Sequence, residues 1–111
     1  MSSYNQHQIL VNQILCALSK FPHIRVWANN TGTAMSFDSE RIIKFGLEGS
    51  ADILGVMYLE KLNIGQLICI EAKTGSARQS EAQKRFEKAI TSRGGIYIVA
   101  RSVDDALKIL K

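Results

Sequence analysis

The chain is poor in the residues that would make it something other than a compact intracellular domain. It has a single proline, Pro22, so only Phe21-Pro22-His23 carries a proline-imposed break. Its two cysteines, Cys16 and Cys69, each stand among apolar neighbours, which excludes a disulfide framework and predicts two buried free thiols. His7 and His23 are not spaced with them as a zinc motif, which excludes a structural zinc site. No stretch is long and apolar enough to span a bilayer, and the polar start over residues 1–8 is not that of a signal peptide. The expectation is an intracellular protein without membrane attachment. Acid is missing too from the first amphipathic stretch, whose polar flank is Gln6, His7, Gln8, Asn12 and Gln13.

What is present is enough apolar chain, 46% of 111 residues, to bury one core. Net charge is +4, and the excess is local. From Lys73 to Arg101 there are seven Lys/Arg against Glu81 and Glu87, a local balance of +5. Taken alone, that run favours a solvated helix face over a nucleic-acid footprint.

Periodicity orders the elements. Leu10, Ile14, Ala17 and Leu18, widened by Val11 and Leu15, predict a helix from about Asn5 to Ser19. Ile24 to Trp27 reads as a strand, and Asn29-Asn30-Thr31-Gly32-Thr33 as a turn-rich loop. Glu40 to Phe45 is a short strand before a glycine-rich connection, Gly46 to Gly49. Strands over Ala51 to Leu59 and from Leu67 to Lys73 follow, joined by a turn at Lys61 to Gly65. Ser80-Glu81-Ala82-Gln83 has the form of a capping box for a helix reaching about Arg93, with Ala82, Phe86, Ala89 and Ile90 inward. Gly94-Gly95 ends it, and Ile96 to Ala100 is a buried strand. Ser102 then caps a last helix, with Asp104 and Asp105 at its positive end and Val103, Ala106, Leu107 and Leu110 inward. This order predicts an α/β sheet covered by helices on both faces.

Chemistry concentrates between Gly49 and Lys73. On a strand ending Leu67-Ile68-Cys69-Ile70-Glu71-Ala72-Lys73, the period of two puts Leu67, Cys69, Glu71 and Lys73 on one face. If Asp52 lies on the neighbouring strand, two carboxylates and one amine converge, the minimum set for holding a hard divalent cation beside a phosphodiester. Such clusters also end ordinary strands as ion pairs, and spacing alone leaves both readings open. Gln83 is explained by the capping box, yet borders the buried helix face and is within reach of the strand end. Two other motifs are excluded. Gly95-Ile96-Tyr97 lacks the second tyrosine-bearing strand of the nucleases that begin so, and Lys73-Thr74-Gly75 has no glycines ahead of its lysine to form a P-loop.

Taken together, Trp27, Asn29, Gly32, Arg41, Gly46-x-x-Gly49-Ser50-Ala51-Asp52-Ile53-Leu54-Gly55, Ile70-Glu71-Ala72-Lys73, Ser80-x-x-Gln83-x-x-Phe86 and Gly95-x-Tyr97-x-Val99-Ala100-Arg101-Ser102 form a pattern. It resembles the virus-type replication–repair nuclease (VRR-NUC) family of the PD-(D/E)XK superfamily, over nearly all the chain from Ile24 to Leu110. The resemblance implies a restriction-endonuclease-like α-β-β-β-α-β core with a mixed sheet, and hydrolysis of DNA with Mg²⁺ or Mn²⁺. It implies Asp52 and Glu71 as metal ligands, with the Ala72 carbonyl a possible third. Lys73 would position the attacking water and stabilise charge on the phosphate, and Gln83 would orient the water or hold Lys73. Stand-alone members of this size look like phage or bacterial proteins, and several resemble Holliday-junction resolvases in forming dimers, so a homodimer is expected.

In this chain, Arg78, Lys84, Arg85 and Lys88 would track the DNA backbone, and Asn29 and Thr31 are candidate phosphate donors. Two departures stand out. Ala51 occupies the position where the superfamily often has proline, and the first helix offers only Gln6, Gln8 or Gln13 where the family commonly supplies a glutamate. That missing acid motivates a rival reading, a non-catalytic DNA-binding module on a nuclease scaffold. A third reading is a structural α/β protein whose acids and lysine are surface ion pairs.

Overall fold

A computed structural model describes residues 2–38 and 40–110. The first helix, α1, spans Ser3–Leu18 and is capped by the Ser2 hydroxyl, which accepts from the Asn5 N–H. Its apolar stripe of Leu10, Val11, Ile14 and Leu18 is buried. Cys16 falls off that stripe and is exposed, contrary to expectation; only Cys69 is buried. Apolar sequence neighbours do not bury a helical residue that points away from the core.

Strand β1 (Ile24–Ala28) leads into an unanticipated element. The end of the segment read as a turn-rich loop, Gly32 and Thr33, opens β2 (Gly32–Met35), which pairs antiparallel with β3 (Ile42–Phe45) in a two-stranded sheet of its own. Strands β4 (Ile53–Leu59) and β5 (Ile64–Ala72), helix α2 (Glu81–Thr91), strand β6 (Ile96–Ala100) and helix α3 (Val103–Leu107) complete the chain, with a 3₁₀ turn at Lys108–Leu110. The main sheet has the order β1-β4-β5-β6, antiparallel except for the parallel pair β5–β6. The architecture is thus α/β with a mixed four-stranded sheet and three helices.

Strand periodicity divides the core in two. Ile53, Met57, Ile68, Ile70 and Ala72 face one way and pack with Ile14, Leu18, Ala106 and Ile109 from the α1 and α3 side. Ala51, Cys69 and Tyr97 face the other way, against Phe86 and Ile90 of α2. Glu71 therefore lies on the face opposite the larger core. Residues 68–72 are buried on both faces because helices cover the sheet from either side there. Two inward assignments fail. Ala89 is exposed on α2, and Leu110 is exposed while Ile109 is buried, since the tighter 3₁₀ turn rotates the last residues relative to an α-helical count.

Helix α2 covers only part of its face. Over β1 and β4 the same face carries Trp27, Val56, Tyr58 and, from β5, Leu67, all exposed.

Candidate active site

The β4–β5 register pairs Ile53 with Ile70, so Asp52, just ahead of β4, stands across from Glu71. Asp52 is fixed there by three contacts. Its Oδ2 accepts from the Ala72 N–H at 2.8 Å, its carbonyl accepts from the Asn29 N–H at 2.8 Å, and His7 Nε2 lies 3.2 Å from Oδ2. The Asn29 amide donates to Ser50 Oγ and to the Ala51 carbonyl, both at 2.8 Å. Those side-chain donors are committed to the loop residues just before Asp52, so Asn29 acts on the site by holding the aspartate's approach. Gly49 closes the loop. Its φ of +84° suits glycine, and a Cβ there would stand 2.7 Å from the Ala82 main chain. Without a side chain, the loop can lie against the first turn of α2.

Glu71, Gln83 and Lys73 form a second group around the same point. Gln83 Oε1 accepts from Lys73 Nζ at 2.9 Å and from the Ser80 N–H at 2.8 Å. Two donors on that atom fix the amide orientation, so Nε2 faces Glu71 and donates to its Oε1 at 2.6 Å. Capping box and site contact were alternatives in the sequence; here one side chain makes both. Lys73 Nζ is also 3.8 Å from Glu71 Oε1.

Glu71 is 3% exposed, and its Oε2 has no hydrogen-bond partner among the described residues. Burial, then the negative charge of Asp52, push its carboxyl up to about 8, against the pull of the Lys73 ammonium. Both causes favour the protonated acid over the carboxylate at neutral pH. Cys69, next to it on β5, is raised by burial to about 11, so it is no thiolate nucleophile at neutral pH.

Helix α1 reaches the site through a residue the sequence reading passed over. Gln6, Gln8 and Gln13 are all exposed, and Gln8 donates to Asn12. The side chain that meets Asp52 is His7. The signal was present, since His7 sits three and four residues before Leu10 and Val11 and extends the buried stripe by one turn.

The expected DNA-contacting cations Arg78, Lys84, Arg85 and Lys88 are exposed on α2 and the loop before it, with Lys84 3.3 Å from Glu81. Thr31 is exposed between β1 and β2. Arg101 has a structural task, its guanidinium donating to the Gly75 and Ala77 carbonyls and bracing the loop that follows Lys73.

Whether these groups suit a divalent cation turns on the Glu71 carboxyl. Burial and the Asp52 charge hold a proton on the Glu71 carboxyl, and a divalent cation set between the two acids would take that proton's place, with Asp52 supplying a second oxygen donor beside Glu71. The donor set fits. Among the described residues, no three His, Cys, Asp or Glu side chains stand close enough together to enclose an ion as they are, so ion binding has to gather them. The chain matches no model of a known protein family and no curated protein.

Proposed function

We propose that this protein is a Mg²⁺- or Mn²⁺-dependent endonuclease that hydrolyses phosphodiesters of branched or otherwise structured DNA, working as a homodimer. The observation that carries the reading is the buried carboxyl of Glu71, set beside Asp52 of the neighbouring strand segment with the Lys73 ammonium 3.8 Å from its Oε1. The order α1-β1-β4-β5-α2-β6 around the main sheet agrees with the restriction-endonuclease-like core that the sequence motifs imply.

Asp52 and Glu71, with the Ala72 carbonyl, would hold the cation. When bound, it supplies Lewis acidity and charge neutralisation at the scissile phosphate. Lys73, held by Gln83, directs its ammonium at the negative charge that grows on the phosphoryl oxygens and positions the attacking water. Because Gln83 is also fixed to the Ser80 N–H, the lysine is aimed by the rigid first turn of α2 and needs little reorganisation. Arg78, Lys84, Arg85 and Lys88 give affinity for the DNA backbone without reading its sequence.

The dimer reading is supported by the uncovered sheet face. Trp27, Val56, Tyr58 and Leu67 form an apolar patch on rigid strands, the kind of surface a second copy would bury. A four-way DNA junction, itself two-fold symmetric, calls for two such sites.

The test is nicking of a four-way junction with Mg²⁺ or Mn²⁺ against EDTA. Cleavage should require the ion, and Lys73→Ala should abolish it while DNA binding persists. Undiminished cleavage in EDTA or by the lysine variant would remove the mechanism. Ion-dependent DNA binding without cleavage would leave the binding-module reading in its place.

A further inference from the structure

We infer that His7 is a third ligand of the divalent cation, a nitrogen donor on α1 that makes the site prefer Mn²⁺ to Mg²⁺. This rests on the cation site proposed above. His7 Nε2 stands 3.2 Å from Asp52 Oδ2, both side chains being about one-third exposed or less. That distance is a hydrogen bond, and it is also close to the roughly 3 Å between neighbouring ligands of a six-coordinate ion with bonds of about 2.1 Å, so turning the two side chains would be enough to face both atoms to one ion. The third corner has a candidate in Glu71 Oε2, more than nine-tenths buried and without a partner among the described residues.

Chemistry then sets the choice of ion. Mg²⁺ favours oxygen donors and retains water, whereas Mn²⁺ accepts imidazole more readily along with carboxylates. A neutral imidazole also brings no charge, so the site has two carboxylates and loses the electrostatic pull that a third would add for a hard ion. Without an ion, Nε2–H donates to Asp52. With one, the ring proton resides on Nδ1 and the Nε2 lone pair faces the metal. The ion has to draw its donors together, and Glu71, tethered through Oε1 alone to Gln83, is the one whose other oxygen gains a partner by moving.

The experiment is a Mn²⁺ titration followed by the electron paramagnetic resonance of the free ion, with Mg²⁺ as competitor, on wild type, His7→Ala, His7→Gln and His7→Glu. Thermal melting of each variant checks that it is folded. Wild type should bind Mn²⁺ at least about tenfold more tightly than Mg²⁺. His7→Ala and His7→Gln should lose about tenfold or more of the Mn²⁺ affinity and leave Mg²⁺ nearly unchanged. His7→Glu should shift the preference toward Mg²⁺. Pulsed spectra of the bound Mn²⁺ should show ¹⁴N coupling in wild type that is gone in all three variants. Equal Mn²⁺ and Mg²⁺ binding, unaffected by these substitutions and free of ¹⁴N coupling, would overturn the role of His7 alone. A wild type that binds neither ion would overturn the cation site itself, and this inference with it.

Discussion

Glu71→Gln is the substitution that most directly probes the buried carboxyl. In the ion-free fold, Glu71 holds its proton up to about 8, whereas the unfolded chain releases it near the ordinary carboxyl value of 4.5. The folded pKa is the higher one, so the stabilisation is fully present below about 4.5 and is lost as pH rises through about 8. At about 1.4 kcal/mol per pKa unit, the full shift bounds the effect near 5 kcal/mol. Water entry and movement of the strand end should reduce it to a few kcal/mol. Glutamine imitates the protonated acid. It can still accept from Gln83 Nε2 and can donate to Asp52, and it has no charge to bury. In EDTA, wild type and Glu71→Gln should melt at similar temperatures near pH 5. By pH 8, wild type should melt about 5–10 °C below the variant, given about 4 °C per kcal/mol for a domain of this size. Mn²⁺ at pH 8 should restore the wild-type melting temperature and leave the variant unmoved. Melting curves that stay parallel from pH 5 to pH 8 would refute the claim that Glu71 is a buried, proton-holding ligand.

Two further substitutions separate the roles combined in single residues. Gln83→Glu keeps a side chain able to complete the capping box but sets a carboxylate against Glu71, so it should abolish cleavage with little loss of helix content; Gln83→Ala keeps the Ser80 cap but loses the return bond to the Ser80 N–H, costing about 1 kcal/mol by urea unfolding. Trp27→Glu combined with Tyr58→Glu should give a monomer by light scattering, and an unaltered dimer would place the interface elsewhere.

Much of the site could be read along the chain because strands impose a strict alternation. The spacing of Glu71 and Lys73 put them on one face before any partner strand was known. Ser80 and Gln83 announced their helix start by local chemistry alone. His7 is not marked out by its residue type within a polar flank of glutamines and asparagine, because its contact with Asp52 depends on helix phase and on where α1 packs. The β2–β3 ribbon escaped because Asn29-Asn30-Thr31 is strong turn chemistry, and only pairing with Ile42–Phe45 gives Gly32–Met35 its strand.

Local periodicity and capping thus determined which segments become helices and strands, and which face each polar residue takes. They act over a few residues and are written in the order of the chain. Tertiary structure alone decided that Asp52 faces Glu71 and that His7, 45 positions away, touches Asp52. It also decided that the Glu71 carboxyl is buried beside Asp52. Those outcomes depend on strand register and on where helices cover the sheet, and both are set by packing between segments distant in sequence.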